Sequence, residues 1–91
     1  MDERSFTKLV REKVCEYVNA NSDRVGEPDI TVDDVFIVWM CKTLRNNKAL
    51  ASTTVEDGMY YELTFNGYRG ELYFDAYKKH ENICFEGIQN G

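Results

Sequence analysis

One histidine, one proline and one tryptophan are all that 91 residues hold of three residue types with marked chemical roles. Each scarcity removes something. With His80 alone, any mechanism that needs an imidazole base at neutral pH has a single residue to use, and a tetrahedral zinc site lacks its usual donors. Cys15, Cys41 and Cys84 form an odd set with long gaps and no CxxC pair. That argues against a disulfide framework and for free, mostly buried thiols in a reducing cytosol. No apolar run approaches the roughly 20 residues that span a bilayer. The opening Met1-Asp2-Glu3 lacks the basic-then-apolar pattern of a secretory signal, so a cytoplasmic protein without membrane contact is expected. Basic residues are also outnumbered. Eleven Lys and Arg against sixteen Asp and Glu give a formal charge of -5, which repels a phosphate backbone and argues against general nucleic-acid binding.

What is present points to a folded chain. A hydrophobic fraction of 43% is ordinary for a globular protein, and 13% aromatic residues speak against disorder. At this length one core serves the whole chain, so a single domain over 1–91 is expected. Phe6, Leu9, Val10, Val14, Tyr17 and Val18 recur at helical spacing, with charged residues between them. They predict an amphipathic helix over 5–20, capped by Ser5 and ended by Asn19 to Asn21 with Ser22 and Asp23. Val25 to Pro28 is a turn-rich connection.

The run Val35-Phe36-Ile37-Val38-Trp39-Met40-Cys41 is continuously apolar and rich in β-branched and aromatic residues, which suits a central strand buried on both faces. A helix capped by Thr31, with Asp34 completing a capping box, competes with it. Strict alternation places Phe36, Val38 and Met40 on one face and Val35, Ile37, Trp39 and Cys41 on the other. One helix covers one face only. The other calls for a curled tail over Ile83 to Ile88, a homodimer partner or a ligand. A polar turn at 44–48 then leads into a second strand over 49–55. Met59, Tyr61, Leu63 and Phe65 alternate with Tyr60, Glu62 and Thr64, and Leu72, Phe74 and Ala76 alternate with Tyr73, Asp75 and Tyr77. The predicted fold is α+β: an N-terminal amphipathic helix on a four-stranded antiparallel meander, strands 35–43, 49–55, 59–65 and 71–79, with a hairpin at 66–70 and a loose tail at 87–91.

The hairpin register can be argued further. A two-residue turn at Asn66-Gly67 sets Glu62 opposite Glu71, whereas a four-residue loop from Asn66 to Arg69 pairs Leu63 with Leu72 and Tyr61 with Phe74. The four-residue loop is the expected one.

Few constellations carry chemistry. His80 with Cys84 and Asp75 lacks a glycine-framed nucleophile turn, and Gly67-Tyr68-Arg69-Gly70 lacks the frame of a phosphate loop. Glu62 and Asp75 share the outer sheet face, which a solvated strand explains as well as acid and base work does. Tyr60, Tyr73 and Tyr77 mark the same face as a contact surface, with Trp39 as a further candidate contact. Lys42, Arg45 and Lys48 gather around one turn, where Lys42 and Lys48 are candidates for a small anionic ligand or nucleotide.

The strings Val38-Trp39-Met40-Cys41-Lys42-Thr43-Leu44, Asn46-Asn47-Lys48-Ala49-Leu50, Ser52-Thr53-Thr54, Asp57-Gly58-Met59-Tyr60-Tyr61-Glu62, Asn66-Gly67 and Asp75-Ala76-Tyr77-Lys78-Lys79 followed by Asn82 resemble a family of short, uncharacterised proteins. Phages and prophages of Gram-positive bacteria encode that family, a domain of unknown function. The resemblance implies a phage context and the cytoplasm of a host bacterium, and carries over no site residue. Small proteins of this kind act by binding host proteins or by sequestering small molecules. The expectation is therefore a non-enzymatic interaction protein that takes a host or phage protein through the tyrosine-rich face, without cofactor or metal. The alternative is an oligomeric protein that sequesters an anionic small molecule.

Overall fold

The computed structural model of the chain describes residues 1–21 and 26–89. Helix α1 spans Glu3–Ala20. Its cap is Asp2, not Ser5: the Asp2 carboxylate accepts the Ser5 N–H at 2.8 Å, and the Phe6 N–H donates to the Asp2 carbonyl at 3.0 Å. Aspartate satisfies the free N–H groups as serine would and adds a charge that suits the positive end of the helix dipole. The Ser5 hydrogen bond in turn holds the Asp2 carboxyl below its ordinary range. Asn21 ends the helix, placing its backbone N–H and its side-chain Nδ2 on the Tyr17 carbonyl at 2.9 and 3.0 Å. Ser22, Asp23 and Val25, included in the expected helix end and turn, lie outside the described residues.

Both readings of the segment around Thr31 hold a part of the truth. Asp34 accepts the Thr31 N–H at 2.9 Å and donates its own N–H to the Thr31 carbonyl at 3.0 Å, but the cap closes only a three-residue 3-10 turn, Val32–Asp34. The β-branched run that follows then goes extended.

Four strands form an antiparallel meander in the order β1-β2-β3-β4: Val35–Thr43, Asn46–Thr53, Met59–Asn66 and Glu71–Lys78. The α+β class stands, but β1 is an edge strand, not the central one. β2 starts three residues earlier than expected, because Leu44 and Arg45 alone make the turn from Thr43 to Asn46. Leu44 holds a φ of 54°, a conformation that sequence reasoning assigns to glycine or asparagine, so the expected turn over 44–48 was too long.

The last hairpin has a four-residue loop, displaced by one residue to Gly67–Gly70. Leu63 pairs with Phe74 and Tyr61 with Ala76, so the expected pairs slip by two residues and every side chain keeps its face. Asn66 stays in the ladder opposite Glu71 because it closes the loop from there. Its side-chain oxygen accepts the Tyr68 N–H at 3.0 Å and its carbonyl accepts the Arg69 N–H at 3.3 Å. Avoiding like charges did not decide the register. It sets Glu62 opposite Asp75, and Lys48 on β2 offsets this with an ion pair to Glu62 at 3.5 Å.

A bulge at Val38 corrects the expected alternation in β1. Ile37 pairs with Ala51 and Trp39 with Leu50, so Val38 is the extra residue. Val35 and Ile37 face the helix before it and Met40 after it, where the Met40 sulfur lies 3.8 Å from Thr7 Oγ1. Phe36, Trp39 and Cys41 therefore share the opposite face.

The core lies between α1 and one side of the sheet. Phe6, Val10, Val14 and Val18, each four residues apart, form one ridge over Val35, Ala49, Ala51, Tyr61 and Leu63, with Ile30 closing one end. Steps of four drift around a helix of 3.6 residues per turn, so the ridge runs obliquely and suits a twisted sheet. The smallest dimension of the molecule, 19 Å, equals about one helix layer on one sheet. Among the described residues no third layer covers the other face.

Tyr61 packs against Tyr17 and Phe74, with ring centroids at 5.7 Å from each. Burial, with Asp57 and Tyr17 adding to it, pushes its pKa up to about 12. In the unfolded chain a tyrosine ionises near 10. Its stabilising share is therefore intact below pH ~10 and lost as pH rises toward 12, because the unfolded state releases its proton first. Stability should fall by on the order of 2 kcal/mol across that window from this residue. Urea midpoints at several alkaline pH values check it: the Tyr61→Phe variant should show a shallower decline, and an identical decline would disprove the assignment.

Candidate functional site

The bare face of the sheet is ordered by the strand register. Across it run the rows Trp39, Leu50, Glu62 and Asp75, then Cys41, Lys48, Thr64 and Tyr73. Beside the first lie Phe36 with its partner Ser52, and Tyr60 with its partner Tyr77. Four strands at about 4.8 Å spacing and eight residues of about 3.3 Å each make a surface of roughly 400–500 Å². Phe36 (46%), Trp39 (42%), Tyr73 (52%) and Tyr77 (52%) remain largely exposed on it. Aromatic side chains gathered on one face exceed scattered surface hydrophobicity.

Four of the sequence-predicted contacts, Trp39, Tyr60, Tyr73 and Tyr77, thus fall on one face. Lys48 joins them, held by Glu62. Lys42 does not. It lies two residues after Met40 and opposite Asn47, on the helix side, so the two lysines expected to share an anionic ligand point to opposite faces. Phe36 and Leu50 belong to the face and were missed, because Phe36 joins Trp39 only through the bulge and no residue pattern announces it. The Tyr73 hydroxyl donates to Glu71 Oε2 at 2.9 Å, which raises the Tyr73 pKa and fixes the ring on the surface.

The other chemical candidates are dispersed. His80 is exposed beyond β4. Glu62 and Asp75 are cross-strand partners, with Glu62 also bound by Lys48. Cys41 and Cys84 are exposed, contrary to the expected burial, since one lies on the bare face and the other in the C-terminal segment; only Cys15 is partly buried. Its thiol lies 3.3 Å from the Ile30 carbonyl, beside Asn19, whose side chain bonds both the N–H and the carbonyl of Ile30. Among the described residues no three His, Cys, Asp or Glu side chains are grouped so as to hold a metal ion. Of the three covers considered for the second face, the tail does not serve: Ile83, Phe85 and Ile88 are exposed, as is Trp39.

These features define a two-layer α+β domain with one packed and one bare sheet face. The chain belongs to a family of unknown function, DUF6275, whose model matches residues 7–87. No curated protein and no solved structure matches it. Among the described residues no helix is long and apolar enough to cross a membrane.

Proposed function

We propose that the chain is a non-enzymatic interaction module, an accessory factor of phage or prophage origin in the cytoplasm of a Gram-positive host, that binds a host or phage protein on its bare sheet face. The observation that carries this reading is the collection of Phe36, Trp39, Tyr60, Tyr73 and Tyr77 on one face over which the described residues lay no second layer. Tyrosine and tryptophan offer large contact areas at small cost in side-chain freedom, and a few such anchors carry most of the energy of an interface. Trp39, beside Leu50, is the natural anchor. The polar pair Lys48 and Glu62 next to it gives orientation. An anionic small molecule held by Lys42 and Lys48 gains nothing from this geometry, because the two side chains diverge.

The test is capture from the host followed by titration. The tagged chain is expressed in a Gram-positive bacterium, retained proteins are identified by mass spectrometry, and the purified partner is titrated against variants. Trp39→Ala, and Tyr60→Ala with Tyr77→Ala, should each weaken binding roughly tenfold or more. A partner that binds both variants as tightly as the parent chain removes the reading.

A further inference from the structure

Away from the bare face, a second surface lacks an occupant. Between α1 and the 3-10 turn runs a groove of about 620 Å³, with Thr7 and Val32 in its wall. Arg4, Lys8 and Arg11 line it at spacings of four and three residues, one stripe of the helix. Among the described residues none of the three makes an ion pair, and the Arg11 Nε is buried without a hydrogen-bond acceptor. In a chain of net charge -5 these cations are conspicuous, and a buried guanidinium donor left unmatched is unfavourable. The groove flanks β1, since Thr7 touches Met40, and among the described residues no strand pairs with the outer edge of β1.

The segment His80 to Gln89 is the counterpart. It forms no hydrogen bond with the described residues, and all ten of its residues are exposed, including Ile83 (58%), Phe85 (76%) and Ile88 (76%). It carries Glu81 and Glu86 and neither lysine nor arginine. The family match runs through it to Gly87, so it is part of the domain that the family defines. Charge decides between the two uncovered surfaces. The bare sheet face presents Glu62, Glu71 and Asp75 against Lys48, and repels an acidic segment. The groove presents Arg4, Lys8 and Arg11 against Glu3 and Glu12, and attracts it.

We propose that the groove between α1 and the 3-10 turn receives the His80 to Gln89 segment of a second copy, reciprocally, so that the chain forms a dimer by exchanging its C-terminal segments. The acidic groups approach the Arg4, Lys8 and Arg11 stripe, the apolar side chains fill the groove, and the segment's unpaired backbone meets the free edge of β1. The segment leaves from β4, the edge opposite β1, so the exchange leaves the bare face of each copy free for a different protein. This inference does not depend on the function proposed above.

Sedimentation equilibrium of the full chain tests it. The parent chain should sediment at twice its own mass. Phe85→Ser with Ile83→Ser, and separately Lys8→Glu with Arg11→Glu, should each weaken dimerisation roughly tenfold or more, with circular dichroism unchanged. Adding Glu81→Lys and Glu86→Lys to the helix charge reversal should restore the dimer, which a merely structural effect would not do. Three outcomes overturn the proposal. One is a monomeric parent chain, whether its segment is free or folded back into its own groove. Another is a dimer indifferent to the segment and stripe variants. The third is a dimer broken only by Trp39→Glu, which would place the contact on the bare face.

Discussion

Replacing Phe6 by alanine is expected to destabilise the fold by about 3–5 kcal/mol, the largest effect of any single side-chain truncation in this chain. Phe6 is fully buried and heads the ridge of α1, followed by Val10, Val14 and Val18 at intervals of four residues. It packs over a sheet whose β2 strand contributes Ala49 and Ala51 as its apolar core residues, so the ring fills space that those alanines leave. Small neighbours have no side-chain atoms to move into the gap, and the cavity term adds to the lost transfer energy. Domains of this size hold about 5–15 kcal/mol in total, so the variant should unfold at a much lower urea concentration with an unchanged slope. A midpoint shift equivalent to less than about 1 kcal/mol would mean that the helix does not depend on this contact.

The second large effect is expected at Gly67. A Cβ placed there would lie 2.0 Å from the Arg45 carbonyl oxygen and 2.8 Å from the Arg45 Cβ. Two turns that connect different strand pairs touch at this point, backbone to backbone. The Gly67 N–H donates to Asn46 Oδ1 at 3.2 Å, and the Arg45 guanidinium sits 5.3 Å over the ring of Tyr68. Gly67→Ala should force the turns apart and disturb the end of the sheet where Thr43, Asn46, Asn66 and Glu71 align, at a cost of about 1–3 kcal/mol or more. Gly70 is the control. Its φ of 63° penalises a side chain, but nothing lies within 4 Å of the Cβ position, so Gly70→Ala should cost only about 1 kcal/mol. Thermal melts of the two variants compare them directly. If Gly70→Ala proves the more damaging, contact between the turns is not what the glycine at 67 serves.

The sequence was most readable where a single period governed a whole element. Four-residue spacing from Phe6 to Val18 gave the helix, and two-residue alternation from Met59 to Phe65 and from Leu72 to Ala76 gave two strands with their faces. It was least readable where one residue acted against its type. Leu44 at positive φ hid a two-residue turn and delayed the expected start of β2. The apolar run in β1 suggested a strand enclosed on both sides, because continuous hydrophobicity signals burial of some kind without saying by what. Here the described residues supply cover on one side only. The tyrosine face followed from alternation and was found. Phe36 and Leu50 were not assigned to it, and Lys42 was set beside Lys48, because strand number and local faces decide such neighbours. The groove on α1 was invisible, since its cations look like the polar side of any amphipathic helix until the position of Val32 is known.

The extra residue at Val38 leaves β1 with slack. A chain that lost one residue between Phe36 and Val38 would pair with β2 as a regular ladder, and Trp39 and Met40 would keep their present sides. Loss of one residue beyond Met40 has no such reserve and would carry Lys42 across to the bare face. Relatives of different length can therefore gain or drop a residue at this one place in the strand while preserving both the core and the aromatic surface. Insertions and deletions elsewhere in β1 should exchange the two.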